Sequence, residues 1–368
     1  MERRGRGDYL AAMTRNFSQW AILAAKFTLP AAILAYLLGW HIGPEDWRAL
    51  AEQPKRFGLL ATALAVALSA LCLSFGRWWL LVRAQSIELS LVEAFRLGSI
   101  GFLLSFVSAG SVGGDLFKAV FLARRRPGKR VEAVASVLVD RACGLYGLLL
   151  LVAIAFVAVD LGGHPGIGDE PSTGQAGDLR GDLRGMKWGV SALILGGTAV
   201  LAGLILGGRR IDRWLRSAGR LRLVGGPLTR LAGPLRMFHE RPVALAVGVL
   251  MSVAVQAMLA VSLFLIARGL YASPPTLGEH FVIVPLAMVA SALPISPAGL
   301  GVMEAAMESL YHLVPAEATV ASGTLVALVF ELVKLTVAGI GTLFYWTAPA
   351  EVRDSMSDGD VAEVAGAG

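Results

Sequence analysis

The sequence predicts an all-α integral membrane protein, a multi-span helical bundle with two re-entrant or broken helices arranged as an inverted repeat. Three observations lead there. The chain is 55% hydrophobic and 16% charged, whereas soluble domains run near a quarter charged. The apolar residues fall in blocks of about twenty, the length that carries a helix across a bilayer. Two shorter apolar segments instead stop at clusters of glycine, serine and proline. Broken backbone at membrane depth is tolerated only where protein or a wet cavity surrounds it. A β-barrel would show short alternating strands, which the sequence lacks.

Residues 1–18 are polar and carry Arg3, Arg4, Arg6 and Arg15. They are expected on the cytoplasmic side. The first apolar block, about 20–39, is too long for a signal-peptide core and no cleavage pattern follows it, so it reads as a retained span. A second span covers about 57–75. The stretch from Arg77 to Arg96 then reads as polar and amphipathic, with Trp78 and Trp79 placed like an interfacial belt. Further spans are expected near 133–159, 188–206, 243–267 and 320–346. The membrane domain covers 19–347, and 348–368 reads as a disordered acidic tail.

Orientation follows from the basic residues. Arg124, Arg125, Arg126, Lys129 and Arg130 form one cluster, and nine arginines fall within 208–241. Both belong on the cytoplasmic side by the positive-inside rule. The second stretch could also lie on anionic head groups through Trp214 and Leu215. The net charge of +6 therefore speaks of topology, and no nucleic acid partner is expected. The Gly-rich loop 160–187 is read as external and flexible. Cys72 and Cys143 both lie in apolar runs, so neither a disulfide nor a metal site is expected.

The two interruptions are built alike. Ser108-Ala-Gly110-Ser-Val-Gly113-Gly114-Asp115 follows a short apolar segment, and so does Ser296-Pro-Ala-Gly299-Leu-Gly301-Val-Met-Glu304. Each leads into an amphipathic piece and then a long span holding a carboxylate near a base. These are Asp140-Arg141 in the first half and Glu331 with Lys334 in the second. If both short segments re-enter, the halves have opposite orientation, the pattern of inverted-repeat transporters with a midplane site.

The candidate site residues are Ser108, Gly110, Gly113, Gly114, Asp115, Lys118, Asp140, Arg141, Ser296, Gly299, Gly301, Glu304, Glu331 and Lys334. Each also has a plain structural reading. Asp115 and Glu304 could be ordinary helix caps, and Glu331 with Lys334, three apart on one face, could be a local ion pair. Glycine N–H groups with Lys118 could instead cradle an anion. An acidic cap beside a phosphate is unfavourable, so Asp115 fits a base or a cationic head group better. Asp140 and Arg141 are the best-supported pair, because intramembrane charges are costly and commonly functional. Adjacent helix positions point about 100° apart, so each needs a partner elsewhere, with Glu331 and Lys334 as candidates. Gly196, Gly197, Gly339 and Gly341 read as close-packing positions. No nucleophile with its base, Walker loop or dinucleotide fingerprint is present, and no cofactor is expected.

Taken together, the first break with Lys118 and Arg124, then Ser136-Val-Leu-Val-Asp-Arg141 with Gly144, then Pro297-Ala-Gly-Leu-Gly-Val-Met-Glu304, resemble the lysylphosphatidylglycerol synthase transmembrane family, also called flippase-like domain proteins. The resemblance covers roughly residues 20–346. It implies an inner-membrane, multi-pass protein that binds and translocates polar or charged lipids. Its partners would be lipids with polar or anionic head groups, a second copy, or a lipid-synthesis protein. The alternative is a membrane subunit of a lipid, hopanoid or glycolipid biosynthetic enzyme; a scaffold recruiting through its arginine-rich loop is a third reading. Lysyl-transferring members carry a soluble domain after the last span, so aminoacyl transfer is not expected here. Lys334 stands where the family leads one to expect arginine, and lysine is a poorer bidentate ligand for phosphate.

Overall fold

The computed structural model describes residues 54–107, 112–158, 237–292, 301–315 and 319–346, with helical residues at 48, 51, 189, 191–192 and 195–199. Among them the chain is helical, with no strand. The first half holds α1 (Phe57–Ala84), α2 (Leu91–Val107), α3 (Val112–Arg125) and α4 (Arg130–Ala158), the last two joined by a 3-10 turn at Pro127–Lys129. The second half holds α5 (Pro242–Leu270), α6 (Leu277–Ser291), α7 (Val302–Leu313) and α8 (Gly323–Trp346).

Each half thus runs long, short, amphipathic, long. Helices α1, α4, α5 and α8 are long and apolar enough to cross a membrane. At 17 and 15 residues, α2 and α6 are shorter than the roughly 20 a crossing needs. Helix α2 is described to Val107 and α3 from Val112, and α6 to Ser291 and α7 from Val302; the expected breaks themselves lie for the most part outside the described residues. The spans expected at 20–39 and, for the most part, 188–206 lie outside the described residues. So do Ser108, Gly110, Ser296, Gly299, the loop 160–187 and the acidic tail.

The halves meet chiefly along α1 and α5. The Arg56 N–H donates to Gly269 O at 3.0 Å, Ser262 Oγ donates to Ala63 O at 2.9 Å, and Leu81 lies over Gly248. Rising numbers on α1 meet falling numbers on α5, so the two helices are antiparallel. At the far end of the seam Arg241 donates to Arg83 O at 3.0 Å. One end of the bundle therefore gathers Arg83, Arg125, Arg126 and Arg241, which together line one cleft. The start of α6, which follows the other end of α5, lies at the opposite end.

Burial at about 25 cal/mol per Å² of apolar surface holds helices together in water, but a lipid-facing helix gains little from it. Close approach and polar contacts then matter more. Small residues make the crossings. A Cβ on Gly114 of α3 would lie 2.0 Å from Gly101 O of α2, so only glycine fits. A Cβ on Gly147 of α4 would meet Ser252 of α5, and one on Gly323 of α8 would meet Met307 O of α7. The glycines expected to pack differ: Gly196 and Gly339 face open space, while Gly197 lies against Tyr146. For Gly341 the surroundings lie outside the described residues.

One further expectation is corrected. Helix α1 does not end near Phe75 but continues to Ala84, and Trp78 is not interfacial but fully buried. It packs with Val82, Leu97, Phe117 and Phe121 of the first-half core. The reason is that Arg77, which looked like a span terminator, has its charge compensated inside the bundle.

Candidate functional site

Arg77 sits on the buried face of α1 and is only 6% exposed. Its Nε donates to Asp140 Oδ1 at 2.8 Å and its Nη2 to Oδ2 at 3.2 Å. Its Nη1 donates to Ser252 Oγ at 2.7 Å, and that hydroxyl passes its own hydrogen to Gly248 O at 2.8 Å. The guanidinium lies against Gly144, where there is no side chain to displace it. One arginine therefore ties α1 to α4 and α5. The fork geometry matches a carboxylate in two parallel bonds, which lysine could not reproduce.

Helix α3 brings a second layer of charge to the same place. Lys118 Nζ stands 5.2 Å above the Trp78 ring, a cation–π arrangement, and 3.8 Å from Asp115 Oδ1. Asp115 Oδ2 also accepts from Arg141 Nε of α4. Among the described residues the cluster holds three cations, Arg77, Lys118 and Arg141, and two carboxylates, Asp115 and Asp140. The Trp78 indole N–H is buried there with no acceptor among the described residues. Asp115 is not the N-cap of α3, because the helix starts three residues earlier at Val112. Gly113 and Gly114 lie in its first turn, with Gly114 committed to the crossing with α2.

The second cluster is built from nearer neighbours. Gly301 has φ 85°, a left-handed conformation that suits glycine, and precedes α7. Its N–H donates to Glu304 Oε2 at 2.7 Å. Gly301 is thus the N-cap, and Glu304, expected as a cap, supports it from the third helical position. Yet the residue is wholly buried, and Oε1 has no donor among the described residues. Glu331 of α8 is close enough to act on it electrostatically. Glu331 is ion-paired with Lys334 on the same helix, and the ammonium lies 5.5 Å from the Phe330 ring. Two carboxylates face one lysine, leaving one formal negative charge.

The structure thus brings Asp115, Lys118, Asp140 and Arg141 together, and separately Gly301, Glu304, Glu331 and Lys334. It does not join the two sets: Asp140 and Arg141 find Arg77 and Asp115, not Glu331 and Lys334. Two residues were missed in the sequence, Arg77 and Ser252. Arg77 was legible in principle, since an arginine two positions past an apolar span, with apolar sequence resuming at once, fits a helix that continues. Ser252 gave no signal. No group of three His, Cys, Asp or Glu side chains able to hold a metal occurs among the described residues.

The model of the lysylphosphatidylglycerol synthase TM region matches residues 23–341. The chain belongs to that family. No curated protein and no solved structure matches it. Family and helices together make it a multi-pass integral membrane protein.

Proposed function

We propose that this protein binds the polar head group of a membrane lipid between its two halves and carries it from one leaflet to the other, in a bacterial-type cytoplasmic membrane. The observation that carries the reading is the pairing of two buried charge sets of opposite excess. Among the described residues the Arg77–Asp140–Lys118 cluster holds more cations than carboxylates, and the Trp78 N–H has no acceptor. The Glu304–Glu331–Lys334 cluster has a spare negative charge and an unmet acceptor on Glu304. Buried charges without compensation are expensive in a membrane and mark substrate paths. A head group with an anionic phosphate and a cationic substituent would answer both.

We read the two halves as an inverted repeat on three observations. The two opening helices are antiparallel, the order of elements repeats, and the short helices α2 and α6 begin at opposite ends of the bundle. In such architectures the halves rock about a shared central site. The short helices then act as re-entrant walls.

The test is reconstitution into vesicles with a fluorescent, charged phospholipid whose leaflet exchange is read by quencher accessibility. Arg141→Ala and Glu304→Gln should each slow exchange at least about tenfold, since each removes a charge-assisted contact worth roughly 1.5–3 kcal/mol. Arg141 is half exposed, so its loss should leave the fold intact, as a matched elution profile would show. Exchange at the wild-type rate in both variants would refute the proposal.

A further inference from the structure

The basic end of the bundle holds a second feature, apart from the charge clusters. The turn between α1 and α2 opens on a cleft of about 630 Å³ lined by Arg83, Ser86, Glu88, Glu93, Arg125, Arg126 and Arg241, with Ile87 and Leu89 as apolar lining. Four arginines there face two glutamates. Arg125 pairs with Glu93 at 2.6 Å and Arg126 with Glu88 at 2.7 Å. Both pairs are open to solvent and so are held weakly. Arg83 and Arg241 have no carboxylate partner among the described residues. Arg83 lies 5.4 Å from the Trp79 ring, while Arg241 donates to Arg83 O and, at 3.2 Å, to Ser86 Oγ.

The backbone of the turn is also unusual. Ser86 has φ 54°, left-handed and the one non-glycine residue so placed among the described residues. It is the residue after the C-cap of α1, where its N–H donates to Arg83 O at 3.0 Å and the Ile87 N–H to Val82 O at 3.4 Å, a Schellman ending, and there its hydroxyl accepts from Arg241. Glu93 is fully engaged: it accepts from the Ser90 N–H and Oγ as well as from Arg125. Its charge is therefore spent locally. What the cleft offers a ligand is guanidinium N–H groups, a hydroxyl and an apolar floor.

We propose that this cleft is a binding site for a phosphate group. Guanidinium forks match phosphate oxygens in paired bonds, and the excess of two positive charges suits a phosphate monoester or diester. The apolar floor of Ile87 and Leu89 takes the organic part of the ligand. The phosphate belongs either to an anionic lipid in the leaflet around the basic end or to a soluble phosphate compound. The site rests on none of the translocation reading. Arg83 lies six residues along α1 from Arg77, about 9 Å at 1.5 Å per residue, so the cleft can be emptied without touching the buried ion pair.

The experiment uses the full chain in detergent, with two probes. Native mass spectrometry counts retained phosphatidylglycerol, and titration calorimetry measures pyrophosphate. Arg83→Gln, which loses no backbone contact, should weaken binding about tenfold or more in at least one arm, the cost of one charge-assisted pair. Arg268→Gln, an equal charge change at the opposite end, should leave both arms unchanged. Arg83→Lys should recover part of the loss. Weakening in the lipid arm alone assigns the phosphate to a membrane lipid; weakening in the pyrophosphate arm alone assigns it to a soluble compound. Equal binding by wild type and Arg83→Gln in both arms, or equal weakening by Arg268→Gln, would overturn the proposal.

Discussion

The two charge clusters solve the same problem in opposite ways. In the first half the compensating partners come from far along the chain: Arg77 reaches Asp140 and Ser252 across three helices. In the second half compensation is local, with Glu331 and Lys334 three residues apart on one helix and Glu304 folded back onto Gly301. The first arrangement makes helix positions depend on the ions. The second keeps its ion pair within one helix, so α8 can shift against its neighbours without parting Glu331 from Lys334. The first cluster is therefore a joint, and the second is the better candidate for a part that moves.

That contrast can be broken most severely at Asp140. Asp140→Ala should cost about 3–5 kcal/mol, because it strands a buried arginine. Chemical unfolding in mixed micelles measures it. Replacing both partners, Arg77→Met with Asp140→Leu, should return most of that stability while abolishing lipid exchange; a double variant as unstable as the single would make the pair a matter of packing alone.

Gly114→Ala comes next, at about 1–3 kcal/mol, because its Cβ would meet Gly101 O at 2.0 Å. Cross-linking between cysteines on α2 and α3 should show the two helices pushed apart. Lys334→Met should cost less, about 1–2 kcal/mol, because the ion pair it breaks lies within one helix and, among the described residues, no hydrogen bond between helices goes with it. A loss as large as that of Asp140→Ala would erase the distinction between joint and moving part.

The smallest effect belongs to the solvent-facing pair of Glu93 and Arg125. Burial raises the Glu93 carboxyl, but the Ser90 donors and Arg125 outweigh it and hold it below the usual 4.5. A lowered folded value means that the contribution is complete at neutral pH and is lost as the pH falls below 4.5 through the folded value. Half-exposed as it is, the pair should be worth only a few tenths of a kcal/mol. Arg125→Gln should flatten the acid limb of the stability curve by no more than that.

Much of this was legible beforehand. The long apolar blocks gave the four described spans because a bilayer demands a minimum length. The pair of Glu331 and Lys334 was readable because helix periodicity fixes which neighbours share a face. Asp140 and Arg141 were recognisable as needing partners, but the partners were not. No periodicity links position 77 to 140 or 252, since only packing brings α1, α4 and α5 together. The same packing decided the glycines: those at Gly101, Gly114, Gly147 and Gly323 sit at crossings, while Gly339, alike in sequence, faces outward. Trp78 misled because tryptophan at the end of an apolar run commonly marks the interface, and only its neighbour's hidden counter-ion lets the helix carry it inward.

The antiparallel seam of α1 and α5 has a consequence for how this molecule could be taken apart. Contacts of its kind, each strand of the pair offering its own termini to the other's, are what two separate polypeptides would use to recognise one another. Divided after Ala158 and made as two fragments in one cell, the protein should still reassemble, because affinity across the seam decides which halves belong together.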